Sequence, residues 1–246
     1  SHQELGVLLM REGQLDEAER MFRAALARQE DSGTFHSGLA TLLKRRGALE
    51  EGLAHARRAV ELEPNRPDVH FNVGILLQDL GRWQEAADCF AESIALDPFA
   101  ADSHYQLARC VIESGDLQGA VPSLRRAVEL APRDAAALTD LGVILARTGA
   151  HEEAAKWLRR ALEIEPGDGV ARRNLAVCLF ESDDPDGAIA ELRRCVEDHG
   201  DDRDALLMLG QMLIQAGSVI EGGRFLAEGM RLPETRSAAS DQDGGK

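Results

Sequence analysis

Residues 67–100 read PDVHFNVGILLQDLGRWQEAADCFAESIALDPFA, and this stretch decides the fold. From Asp68 to Leu80 the apolar residues Val69, Val73, Leu76, Leu77 and Leu80 recur at the spacing of one helix face. Gly81 follows, and the positive φ that glycine accepts without steric cost predicts the end of that helix. A second helix is predicted over Glu85–Leu96, with Ala86, Phe90, Ile94 and Leu96 turned inward. Asp97-Pro98 stops it, because proline lacks the N–H and disfavours helix at the residue before it.

Reading outward, the same punctuation returns every 34 residues. Glycine stands at 13, 47, 81, 115, 149 and 217, and the one lapse on this grid, Asp183, is a residue that also tolerates the left-handed conformation. Proline stands at 64, 98, 132 and 166 on the same period. A period between about 20 and 50 residues marks a tandem array of one supersecondary unit. Each unit is helix A, a tight turn, helix B and a proline-marked exit, and neither helix can bury its apolar stripe until neighbouring units stack on it. Units start near 1, 33, 67, 101, 135, 169 and 203, giving a repeat array over 1–234 and a polar tail, 235–246, expected to be disordered. The sixth unit has Gly200 where others close on proline, and carries Asp183-Asp184-Pro185 in its turn. The seventh carries Gly222, Gly223 and Gly229 in helix B, each costing about 1 kcal/mol relative to alanine, so it is expected to fray first.

The repeat elements resemble those of the tetratricopeptide repeat family. Its Leu-Gly pair in helix A is matched by Leu5-Gly6, Val73-Gly74, Leu141-Gly142 and Leu209-Gly210, with alanine second in Leu39-Ala40, Leu107-Ala108 and Leu175-Ala176. Its Ala-x-x-x-Phe in helix B is matched by Ala18 to Phe22 and Ala86 to Phe90, with leucine for the ring at Leu124, Leu158 and Leu192. The resemblance implies an all-α fold, a right-handed superhelical solenoid of about seven 34-residue helix-turn-helix repeats.

Composition narrows the function. With 28 basic and 43 acidic residues the net charge is −15, which repels a polyanion, so no nucleic-acid partner is expected. No apolar run approaches the ~18 residues that span a bilayer, so no membrane insertion is expected. No signal-peptide pattern opens the chain, and Cys89, Cys110, Cys178 and Cys195 form no C-x-x-C pair, so free thiols in a cytoplasmic protein are expected. Lys44, Lys156 and Lys246 are the only lysines, an arginine bias that suggests a bacterial source. No phosphate loop, nucleophile elbow or zinc motif is present, and no insertion interrupts the grid. The expectation is therefore a non-enzymatic scaffold with no cofactor and no metal. The chain opens inside a helix and its last unit lacks a polar cap. Those ends point to a truncated chain, to contact with another domain, or to self-association around Phe225, Leu226 and Met230.

Three columns of the array bear on binding. His36, His70 and His104 share the fourth position of their units, where the family packs an aromatic, and an imidazole filling that slot with its nitrogens bonded outweighs a metal role. Arg57-Arg58, Arg125-Arg126, Arg159-Arg160 and Arg193-Arg194 precede Glu61, Glu129, Glu163 and Glu197 by four residues from the first of each pair, predicting ion pairs along each helix B. The resemblance places helix B on the convex side and helix A along a concave groove. At the sixth position of helix A stand Asn72, Gln106, Asp140 and Asn174, a polar ladder suited to the main chain of an extended peptide. It is similar to the asparagine ladder of O-linked N-acetylglucosamine transferases, so a substrate-recognition arm of such a glycosyltransferase is the alternative reading. Around the ladder Phe71, Tyr105, Arg109 and Arg173 supply the aromatic and arginine side chains that anchor interfaces. The clamp by which family members hold chaperone tails is not matched, its positions carrying Ser37 and Thr41 or Phe71 and Ile75.

Overall fold

The glycine grid and the helix breaks coincide in the computed structural model, which describes residues 2–28 and 32–233. Gly81 has φ 71° and Asp183, at the lapse, φ 63°. At each turn the chain reverses through the same bonds: Gly81 N–H donates to Gln78 O at 2.9 Å and Arg82 N–H to Leu77 O at 2.8 Å. The second helix of the reference repeat therefore starts at Trp83, two residues before the expected Glu85, because Arg82 alone completes the turn. Among the described residues there are fourteen helices and no strand.

They fall into two compact units that divide between Pro132 and Arg133. The first holds α1 (His2–Arg11), α2 (Leu15–Leu26), α3 (Gly33–Arg45), α4 (Leu49–Leu62), α5 (Pro67–Asp79), α6 (Trp83–Leu96), α7 (Ala101–Glu113) and α8 (Leu117–Leu130). The second holds α9 (Ala135–Arg147), α10 (His151–Ile164), α11 (Gly169–Glu181), α12 (Pro185–Asp198), α13 (Arg203–Gln215) and α14 (Val219–Arg231). In both, helix pairs stack as an α-solenoid, the odd-numbered helices being the A helices. The expected tail, 235–246, lies outside the described residues.

Small residues set how closely a pair packs. A Cβ on Gly74 would meet the buried Phe90 ring at 2.7 Å, so the ring of helix B occupies the space that glycine leaves in helix A. Leu158 fills the same place beneath Gly142 without a ring. The glycines of α14 are of two kinds. A Cβ on Gly222 would lie 2.6 Å from Gly210 O, so it is the crossing point of α13 and α14, whereas Gly223 has nothing within 4 Å.

The histidine column ties repeats to their exits. The Nε2–H of His70 donates to Pro64 O at 2.8 Å and that of His104 to Pro98 O at 3.1 Å. Arg172, in the same column, donates to Pro166 O and is held by Glu191 at 3.1 Å. His36 instead meets His55 on α4. Among the described residues no three His, Cys, Asp or Glu side chains are placed to hold a metal ion.

The arginine pairs behave differently from the i, i+4 expectation. In the first and last of the pairs the first arginine leaves its helix for the next B helix, Arg57 reaching Glu85 at 3.4 Å and Arg193 reaching Glu221 at 2.7 Å. Arg23 and Glu51 make the same link between α2 and α4 at 2.9 Å. The second arginine pairs three residues away, as Arg58 with Glu61 at 2.7 Å and Arg126 with Glu129 at 3.0 Å. Stacked B helices bring a glutamate 28 residues on within reach, and a local pairing rule cannot anticipate that contact.

Candidate functional site

Positions five and six of an A helix lie four and three residues before position nine, so each neighbours it along the helix surface. In the first unit that surface carries bonds between repeats. Asn72 on α5 donates from Nδ2 to Ser37 Oγ on α3 at 2.9 Å. Phe71 stands edge-on to Phe90, ring centroids 5.5 Å apart at 62°, so much of its ring belongs to the core. Gln106 accepts at Oε1 from the exposed Arg109 at 3.3 Å. Tyr105 is half-buried and engaged. Beneath them the buried Gln78 donates to Gln106 O at 3.3 Å and to Cys110 Sγ at 3.2 Å, fixing α5 against α7.

In the second unit Asp140 on α9 is half-buried and engaged. Asn174 donates from Nδ2 to Val170 O of its own helix at 2.9 Å. Arg173 pairs with Asp202, whose other oxygen caps α13 by accepting from Ala205 N–H at 3.0 Å. One carboxylate thus sets both the arginine of α11 and the start of α13. Between these helices lies a cavity of about 350 Å3 lined by Arg173, Asn174, Val177, Asp204, Leu207 and Met208. Its lining is three polar and three apolar side chains, a mixture that suits one apolar side chain with a polar group beside it. Each bonded asparagine uses one of two N–H donors, so the amides keep further donor and acceptor capacity.

The sequence reading named Arg173 and Asn174 but not Val177, Leu207 and Met208, which stand at positions nine, five and six of their units. They were legible as grid positions. Polarity does not mark them, because Met208 ends the polar run at position six.

A larger cavity, about 870 Å3, lies on α10 and the end of α11. Its aromatic side chain, Trp157, donates to Glu153 at 3.2 Å and is covered by Arg160 at 5.8 Å, so its polar and ring surfaces are already occupied. The cysteines offer no nucleophile near neutrality. Cys110, Cys178 and Cys195 are buried, and burial pushes the last two thiols up to about 11. Among the described residues no helix is long and apolar enough to cross a membrane.

Comparison with known proteins fits this geometry. One tetratricopeptide repeat model matches residues 4–67, 73–132 and 111–169, and a second matches 148–213. Among solved structures, YrrB, described as a TPR protein with an unusual peptide-binding site, is 25% identical, with 75% of this chain and 95% of that chain covered and a TM-score of 0.69. PilF of Pseudomonas aeruginosa is 15% identical with a TM-score of 0.72, covering 81% of this chain and 90% of that one. A tetratricopeptide repeat protein of Parabacteroides merdae is 15% identical with a TM-score of 0.66, covering 96% and 93%. These last two share the fold. Among curated proteins none matches the chain.

Proposed function

The chain belongs to the tetratricopeptide repeat family, and on that premise we propose that it is a non-enzymatic scaffold that binds extended peptide segments along its A helices. The observation that carries this reading is the cavity between α11 and α13, lined by Asn174 and Arg173 together with the apolar Val177, Leu207 and Met208. An apolar ligand side chain enters the cavity while its backbone meets the Asn174 amide. Asn72 and Gln106 offer the same amide chemistry in the first unit, and Asp140 adds an acceptor in the second. The likeness to YrrB supports the reading, since that protein is described by a peptide-binding site.

A cytoplasmic, bacterial setting belongs to the same proposal, supported by thiols kept free and by the arginine bias. So does self-association of two copies through α14: of the residues expected there Met230 is 69% exposed, beside Ile220 at 86%, whereas Phe225 and Leu226 are half-buried.

The test is a titration of extended peptides with and without a central leucine or methionine. Met208→Asp should weaken the leucine peptide about tenfold, the loss of roughly 1.4 kcal/mol of apolar burial. Replacing Asn72, Gln106 and Asn174 together by alanine should weaken both peptides. Unchanged affinity in both variants would remove the A-helix face as the binding surface.

A further inference from the structure

Two imidazoles face each other inside the second repeat of the first unit. His36 Nδ1 on α3 and His55 Nδ1 on α4 are 2.8 Å apart, and the ring centroids are 5.0 Å apart with planes at 30°. Nitrogens that close, with centroids that far, lie nearly on the line joining the rings. One Nδ1–H therefore donates to the lone pair of the other Nδ1, and there is room for one proton on that line.

The slot recurs elsewhere in the array with other occupants. It pairs position four of helix A with a helix B residue 19 further on, a contact also made in the sixth unit, whereas His70 and His104 turn to the exit carbonyls Pro64 O and Pro98 O. In the sixth unit the pair is Arg172 and Glu191, bonded at 3.1 Å. In the fifth and seventh the residues at these two positions are Leu138 with Trp157 and Leu206 with Phe225. A guanidinium–carboxylate pair and an apolar pair keep their character between pH 5 and 8, whereas an imidazole pair titrates there.

We infer that the His36–His55 pair is a proton-sharing latch that holds α3 to α4 near neutrality and opens when the pair takes up its second extra proton. The first extra proton adds at Nε2 of the donor ring. It leaves the Nδ1–H···Nδ1 bond intact and makes it charge-assisted. The second must add at the accepting Nδ1, which ends the bond and sets two N–H groups and two positive charges head to head.

The surroundings oppose that second charge. The pair borders a cavity of about 390 Å3 whose other walls are Arg23, Leu26, Ala27 and Leu39. The titratable and charged groups facing His55 are His36 on α3, Glu51 one turn earlier on α4, and Arg23 from α2. Arg23 is itself bonded to Glu51 at 2.9 Å and Glu19 at 2.6 Å, so Glu51 is partly neutralised as a counter-ion. Burial, followed by the field of His36, holds the His55 imidazole below its ordinary value of 6.5. The opened state then binds more protons than the closed one. The latch is fully closed above about pH 6.5 and loses its contribution as pH falls through the lower, folded-state value. Ser37, the partner of Asn72, is the next residue on α3, so opening disturbs the bond that joins α3 to α5.

The experiment compares hydrogen exchange in the full chain at pH 7.5 and pH 5.0, corrected for the intrinsic exchange rate. The control is the double variant His36→Leu, His55→Phe, which installs the residues found at these two positions in the seventh unit. In the parent chain opening over residues 33–62 should rise about tenfold at the lower pH, and in the double variant less than about threefold. Equal increases in both would overturn the latch. Imidazole nitrogen NMR of the parent supplies a readout independent of the variant. For His55 a titration below its ordinary value of 6.5 is expected, and a His55 titration at that ordinary value would overturn it.

Discussion

Asp183 is the only described non-glycine residue with positive φ, at 63°, and it stands where six other turns use glycine. A side chain in the left-handed region costs on the order of 1 kcal/mol. Asp183→Gly is expected to stabilise the second unit by about 0.5–1 kcal/mol, read as a higher urea midpoint with an unchanged m-value. At this scale the sequence was most transparent where chemistry is local. The glycine turns and their lapse follow from one residue's allowed φ, and the histidine column followed from an imidazole's need for a partner. Partners themselves were not legible. Nothing in the string tells that Asn72 spends a donor on Ser37, or that His36 faces another imidazole, because both contacts cross between helices.

Among elements, α14 shows how a sequence pattern can hold two opposite meanings. Its three glycines read alike as helix weakness, yet a Cβ at Gly222 would meet backbone atoms Gly210 O at 2.6 Å and Ile214 N at 3.0 Å, while Gly223 faces open space. Gly223→Ala should raise stability by about 1 kcal/mol through helix propensity alone. Gly222→Ala should lower it by about 1–3 kcal/mol, because α13 and α14 must move apart. Thermal unfolding of the two variants checks both, and equal shifts would mean that the crossing is not tight. Helix existence and order were legible because 34-residue punctuation repeats. The cavity between α11 and α13 was only half legible: Asn174 and Arg173 follow from their columns, but their meeting with Leu207 and Met208 depends on how two helices stack.

For the whole molecule, charge and surface set the expected behaviour. A net charge of −15 keeps copies apart at low salt and screens out as salt rises. Ile220 is 86% exposed at a position where the other units carry Asp16, Glu50, Gln84, Gln118, Glu152 and Asp186. If two copies meet through α14, sedimentation velocity at raised salt should show a concentration-dependent dimer for the parent chain and a monomer for Ile220→Glu. A monomer in both would remove α14 as the contact. Fold class was legible at this scale because a repeated unit averages out local ambiguity, and the surface was less so because one residue in one unit carries the information.

The arginine–glutamate links between successive B helices also have a mechanical meaning. They clasp α2 to α4, α4 to α6 and α12 to α14. The corresponding positions between α6 and α8 are Ala91 and Gly119, and between α10 and α12 they are Arg159 and Gly187, so neither joint has a carboxylate to close. Each unit thus contains one unclasped joint beside clasped ones. Exposed pairs of this kind contribute only about 0–1 kcal/mol each, so the clasps bias the register in which neighbouring B helices slide past one another, while the packed apolar faces set how firmly each joint holds.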